Sequence, residues 1–197
     1  LEVMEERHVT VDIRTYDVPR PFVVIATQNP VEQEGTYRLP EAQLDRFLMK
    51  TSLGYADFAN EVDILRGASG VHAEDLDAVV SIEDVGRMIE VAKVVHVDEA
   101  IQEYIVRLIG ATRSLADLRL GVSTRGAIAL MRASQTLAAS QGRVFVTVDD
   151  VKTVAIPVMA HRMLLTSDAE FREVDPGKLV QDLLNTIDVP DPHRGAA

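Results

Sequence analysis

One run of five apolar residues, Phe22 to Ala26, constrains this chain more than any other feature. Phe-Val-Val-Ile-Ala shows no alternation of apolar and polar positions. Such a run suits a strand covered on both faces, as in the parallel sheets of α/β proteins. It ends in Thr27-Gln28-Asn29-Pro30. Ligands of open α/β sheets bind beyond the carboxyl ends of the strands, so Gln28 and Asn29 stand where a functional polar group is expected. A loop over 30–39 then leads through Pro40 to Asp45-Arg46-Phe47, and the whole stretch reads as half of a phosphate site.

The other half has to be sought in a chain of 197 residues, enough for one large or two small domains, with 47% hydrophobic residues to build a core. Lys and Arg number 20 against 31 Asp and Glu, a net charge of -11. That balance opposes non-specific attraction to nucleic acid or to an anionic membrane. The sequence holds no cysteine, so disulfides and thiolate metal sites are excluded, and the cytoplasm is the default expectation. No apolar run approaches the ~20 residues of a membrane helix. Leu1 to Arg7 reads as the tail of a helix already under way, and the expectation is a piece of a longer chain.

Read in order, Val9, Val11 and Ile13 alternate with Thr10, Asp12 and Arg14, which predicts a β-hairpin over His8 to Val18. Pro19 and Pro21 break that pairing. Pro40 is placed to start a short helix, Glu41 to Phe47, and Leu48 to Leu53 reads as a short strand. Beyond Gly54 the signals become helical. Asp57 caps a segment that Gly67 ends. Ser81 with Asp84 forms a capping box before a helix whose apolar face is Val85, Met88, Ile89 and Ala92. Asp98 caps a helix to Arg113 with Ile101, Tyr104, Ile105, Leu108 and Ile109 inward. Ser123-Thr124-Arg125 opens an Ala-rich helix stopped by Gly142, with Ile128, Met131, Ser134, Gln135 and Ala138 on or near one face. Thr147 with Asp150 caps a helix that Pro157 should bend or end, and Asp175-Pro176 starts the last one. Short strands are expected at Val144 to Val146 and Met163 to Leu165. The fold class is therefore α+β: about fifty residues of α/β character, 1–53, followed by a mostly helical part, 54–197.

Two searches for chemistry fail informatively. No G-x-x-x-x-G-K-[ST] phosphate loop is present, since the only Gly-Lys pair, Gly177-Lys178, is followed by Leu179. Val94-Val95-His96-Val97-Asp98-Glu99 resembles an apolar strand ending in a magnesium-binding Asp-Glu, but His96 interrupts the run and Asp98 has a sufficient role as a helix cap. Glu32, Glu34 and Glu41 form an acidic group without ordered ligand spacing, better suited to a solvated face or a subunit contact than to a metal. His8, His72, His96, His161 and His193 are scattered, which argues against zinc. On the residues alone, Asn29 before Pro30 suits an Asx-type turn, and Arg46 beside Asp45 suits an ordinary surface ion pair. Arg125 is different, because a cation at a helix N-terminus opposes the macrodipole and implies an anion nearby.

The stretch ATQNPVEQEGTYRLPEAQLDRF, preceded by LEVMEERHVTVD and followed by LMKTSLGY, closely resembles the MoxR family of AAA+ ATPases. The likeness continues through Asp98-Glu99, Ala111-Thr112-Arg113, Ser123-Thr124-Arg125 and Val148-Asp149-Asp150-Val151. It implies the C-terminal portion of a P-loop α/β core followed by a helical lid, with both Walker motifs upstream. The resemblance makes Asn29 sensor 1, which orients the attacking water, Arg46 the arginine finger offered to a neighbouring subunit's nucleotide, and Arg125 sensor 2. Thr124 and Gly126 depart from the Ser-Pro-Arg-Ala pattern common in the family, and Arg38 stands where proline is common. The same resemblance implies ATP and Mg2+ as cofactors of the intact protein. It further implies self-association into a ring, a hexamer by the family's habit, and client proteins that often carry von Willebrand A domains. The stretch in hand would be catalytically silent alone. The competing reading is a non-enzymatic helical interaction module; a DNA-remodelling role conflicts with the negative charge.

Overall fold

The structure is a computed structural model that describes residues 3–6, 8–28, 40–67 and 73–190. A short helix, α1 (Val3–Glu6), precedes the hairpin β1 (His8–Val11) and β2 (Arg14–Asp17). The strands pair antiparallel with Val9 opposite Tyr16 and Thr10 opposite Thr15. Asp12 takes the turn at φ 55°, a left-handed conformation that Asp tolerates better than most residues.

The expected buried strand is absent. Residues 22–28 form no ladder, and Val23 and Ile25 are 73% and 88% exposed. A strand needs a hydrogen-bonding neighbour, and among the described residues none lies alongside; its apolar composition alone does not make one. The helix expected to reach Phe47 stops earlier, as α2 (Glu41–Leu44), and 48–53 is not a strand. Lys50 instead donates its backbone N–H to the Pro157 carbonyl at 2.8 Å.

Next come α3 (Phe58–Leu65), capped by Asp57, and α4 (Ile82–Lys93), whose Ser81–Asp84 capping box closes reciprocally. α4 packs against a later helix with Val85 and Ala92 half-buried, but Met88 and Ile89 of the expected inward face remain exposed. The core lies further on. It is built by α5 (Glu99–Thr112), the two-stranded pair of β3 (Leu118–Leu120) with β4 (Leu164–Leu165), α6 (Thr124–Ser140), α7 (Val148–Met159) and α9 (Pro176–Thr186), with α8 (Ser167–Phe171) between β4 and α9. α6 packs on α4, α5 and α7, and α9 closes over α5 and α7. All five inward residues expected for α5 are buried. Fully burying a side chain such as Leu108 contributes about 1.5–3 kcal/mol relative to exposure. On α6 the buried face is Ala129, Leu130, Ala133, Ser134 and Ala138, while Ile128 is exposed. Small residues there let α6 sit close to several helices at once. Val144 to Val146 contributes only a parallel bridge, Phe145 to His96. α7 continues through Pro157 and ends at Met159, passing into a 3-10 turn, Ala160–Arg162.

Three polar devices hold this bundle. The Asp98 carboxylate accepts from the Ala100 N–H at 2.9 Å, so it caps α5. Asp150 closes the α7 capping box with Thr147 and pairs with Arg143. Burial alone would raise its carboxyl, but the hydrogen bonds from Arg143 and Thr147 outweigh that and hold it below the usual carboxylate range. The buried Thr112 hydroxyl donates to the Ile109 carbonyl and accepts from the Val122 N–H at 2.9 Å, fastening the entry to α6. At Gly121 an added Cβ would stand 2.8 Å from the backbone of Arg113 and Thr112 and from the Thr112 hydroxyl. Gly121→Ala should therefore cost about 1–3 kcal/mol by overpacking, read as a lower denaturant midpoint; an unchanged midpoint would show that the entry to α6 is loose.

Candidate functional site

The turn after α2 is tight. Arg46 donates its N–H to the Gln43 carbonyl at 3.2 Å and Phe47 donates to Leu44 at 3.1 Å. This directs the Asp45 carboxylate to the N-terminus of α6. There Ser123, the N-cap, accepts from the Gly126 N–H, and its hydroxyl lies 3.2 and 3.1 Å from the two Asp45 oxygens. Arg125 donates from Nη1 to Oδ2 at 3.1 Å. The anion implied by a cation in the first turn of α6 is thus, in this structure, Asp45.

The other oxygen, Oδ1, accepts from Nε of Arg162 at 3.1 Å. Arg162 is 5% exposed, and a charge so placed has to be paired and hydrogen-bonded. Its five N–H donors all find acceptors: Nε meets Asp45, Nη1 the carbonyls of Leu48 and Val158, and Nη2 those of Asp45 and Phe47. Desolvation lowers its pKa while the Asp45 carboxylate opposes the shift. Beside it, His161 places Nε2 3.2 Å from the Phe47 carbonyl. Nε2 also lies 3.0 Å from Nη1 of Arg162. Nδ1 is buried without a partner among the described residues. Burial first, then repulsion from Arg162, pushes the His161 pKa down, and the ring is neutral at pH 7.

Gly126 belongs to the same arrangement. A Cβ there would meet Val122 Cγ1 at 2.3 Å and Arg162 Cδ at 3.1 Å, so the missing side chain lets the first turn of α6 press onto the Arg162 stem. Ser123, Arg125, Arg162 and the 45–48 turn form one connected cluster.

Comparison with known proteins fits both halves of this cluster. Residues 1–49 match the ATPase family associated with various cellular activities (AAA), and residues 110–183 match the AAA lid domain. The chain is 39% identical over 199 residues to the chaperone MoxR1 of Mycobacterium tuberculosis, covering 96% of this chain and 52% of that protein. It is 31% identical over 215 residues to the protein MoxR of Paracoccus denitrificans.

This chain belongs to the MoxR family of AAA+ proteins.

The MoxR chain is also 44% identical over 191 residues to YeaC of Bacillus subtilis, covering 60% of it. A crystal structure from Cytophaga hutchinsonii, whose protein carries a provisional ATPase description, superposes with a TM-score of 0.87 at 36% identity. It covers 96% of this chain and 61% of its own. The chain thus spans between half and two thirds of the length of these relatives. Of the residues singled out in the sequence, Asn29, Glu32, Glu34 and Arg38 lie outside the described residues, as do His72 and His193. Arg46 is half-buried in the turn after α2, and its chain neighbour Asp45 pairs with Arg125. Among the described residues no group of His, Asp and Glu is arranged to hold a metal. The sequence contains no G-x-x-x-x-G-K-[ST] phosphate loop. No described helix is long and apolar enough to cross a membrane. Arg162 is not singled out in the sequence, and His161 figures there only among the scattered histidines, because what places both in the site is contact with a turn more than a hundred residues earlier.

Proposed function

We propose that this MoxR chain supplies three phosphate-directed groups to an ATP-hydrolysing ring that remodels partner proteins: Asn29 as sensor 1, Arg46 as the finger toward the neighbouring subunit, and Arg125 as sensor 2. Residues 1–53 act as the end of the AAA+ core and 54–197 as the lid. The observation that carries the proposal is the joining of Arg125 and the Arg46 turn through one carboxylate, Asp45. Phosphoryl transfer needs positioned charge more than covalent help, and guanidinium groups fork onto phosphate oxygens. ATP and Mg2+ would be held mainly by a phosphate-loop segment outside this sequence, and the stretch in hand would not turn over alone. The client is a protein, a von Willebrand A domain being the first class to test, and the ring is hexameric.

The test is Arg125→Ala in a chain carrying a phosphate-loop segment. Nucleotide affinity should fall about tenfold, as expected when one charge-assisted contact worth 1.5 kcal/mol or so is lost. Identical affinity and turnover would remove Arg125 from the site. The interaction-module reading draws on exposed Phe58 and Leu65, 83% and 87% accessible; it would gain if the extended chain bound a partner without turning over ATP.

A further inference from the structure

We propose that Asp45 is a positioning residue that ties Arg125 and Arg46 together within one chain, so that an anion drawing Arg125 away is felt at the Arg46 turn. This rests on the reading of the two arginines given above. The geometry divides the carboxylate between two cations. Oδ1 faces inward to Arg162, whose side chain is 2% exposed, and Oδ2 faces outward to Arg125, whose side chain is 46% exposed. Ser123 touches both oxygens. Phosphate oxygens and a carboxylate recognise a guanidinium by the same charge-assisted geometry. A phosphate that takes Arg125 therefore competes with Oδ2, and Asp45 is left to Arg162 and Ser123.

Arg162 is where that change would be transmitted. Its Nη2 holds the carbonyls of Asp45 and Phe47, the two residues flanking Arg46. Its Nη1 holds Leu48 and anchors to Val158 at the end of α7. The backbone that carries Arg46 is thus fixed on both sides by the partner that shares Asp45 with Arg125. Arg46 has its own interactions in this structure, and the proposal concerns where its backbone is held.

Two measurements separate this proposal from the reading it rests on. In the 197-residue chain, denaturant midpoints of Asp45→Asn, Arg125→Gln and the double variant should be non-additive, the second substitution costing little once the first is made. Additive effects would overturn the link while leaving the ATPase reading intact. In a chain carrying a phosphate-loop segment, Asp45→Asn should bind ADP about two- to fivefold more tightly, since Arg125 loses an exposed competitor, while turnover at saturating ATP falls about tenfold or more through misplacement of the finger. A merely structural role would lower affinity and turnover together, in proportion to folded protein, and that result would overturn the proposal. Should Asp45→Asn fail to fold, Asp45→Glu keeps the charge and displaces it by one methylene. It should then leave ADP affinity near the parent and still lower turnover; unchanged turnover would overturn the proposal. If Arg46→Ala and Arg125→Ala both leave the parent's kinetics intact, the reading itself fails instead.

Discussion

Arg46→Ala should lower ATP turnover of the assembled protein by about a thousandfold or more while ATP binding persists, the scale set by arginine fingers supplied in trans. The asymmetry follows from what a finger does. It meets charge that develops on the transferring phosphoryl group, so its loss raises the barrier without removing the contacts that hold the ground state. Arg46 is suited to this by its backbone more than by its exposure. The turn after α2 is closed by the Arg46 and Phe47 N–H groups, and the carbonyls on either side of Arg46 are bonded to Arg162. A finger on so determined a turn needs little reorganisation at the moment of reaction. Arg46→Lys keeps the charge and loses the planar fork, and should recover only part of the activity. Turnover equal to the parent's in Arg46→Ala, measured with ATP saturating and the assembly state checked, would remove the finger assignment.

Much of the helical part could be read from the sequence because its signals are local. Ser81, Asp98, Ser123, Thr147 and Asp175 each cap the helix that follows, a decision made within three or four residues. What failed depended on distant partners. Phe22 to Ala26 has a buried strand's composition, yet a strand exists only beside another, and the run is mostly exposed here. Leu118–Leu120 was not expected as a strand because its partner, Leu164–Leu165, lies more than forty residues on and each is too short to show a period. Within the site, Arg125 gave itself away by an unfavourable position on its helix. Asp45 was visible only as a neighbour of Arg46, and nothing local marks Arg162 as buried, since all but one of its acceptors lie in a turn 114 or more residues earlier.

That distance gives Arg162 the largest expected effect on stability. Arg162→Ala should destabilise this chain by about 3–5 kcal/mol, the usual cost of breaking a buried ion pair by removing one partner. The figure belongs near its lower end, because Ser123 and Arg125 still meet the Asp45 carboxylate, whose side chain is 20% exposed. The larger share comes from carbonyls. Asp45, Phe47, Leu48 and Val158 each lose a donor at once, and where water does not replace it each orphaned group carries its own desolvation cost. Arg162→Lys discriminates between charge and geometry: an ammonium restores the charge but offers three donors without the planar fork, so it should recover less than half of the loss. Denaturant midpoints at constant slope provide the measurement. A loss below about 1 kcal/mol for Arg162→Ala would place the cluster at the level of an ordinary surface ion pair. The 45–48 turn would then be held chiefly by its other contacts, the Lys50 N–H to the Pro157 carbonyl and His161 to Phe47.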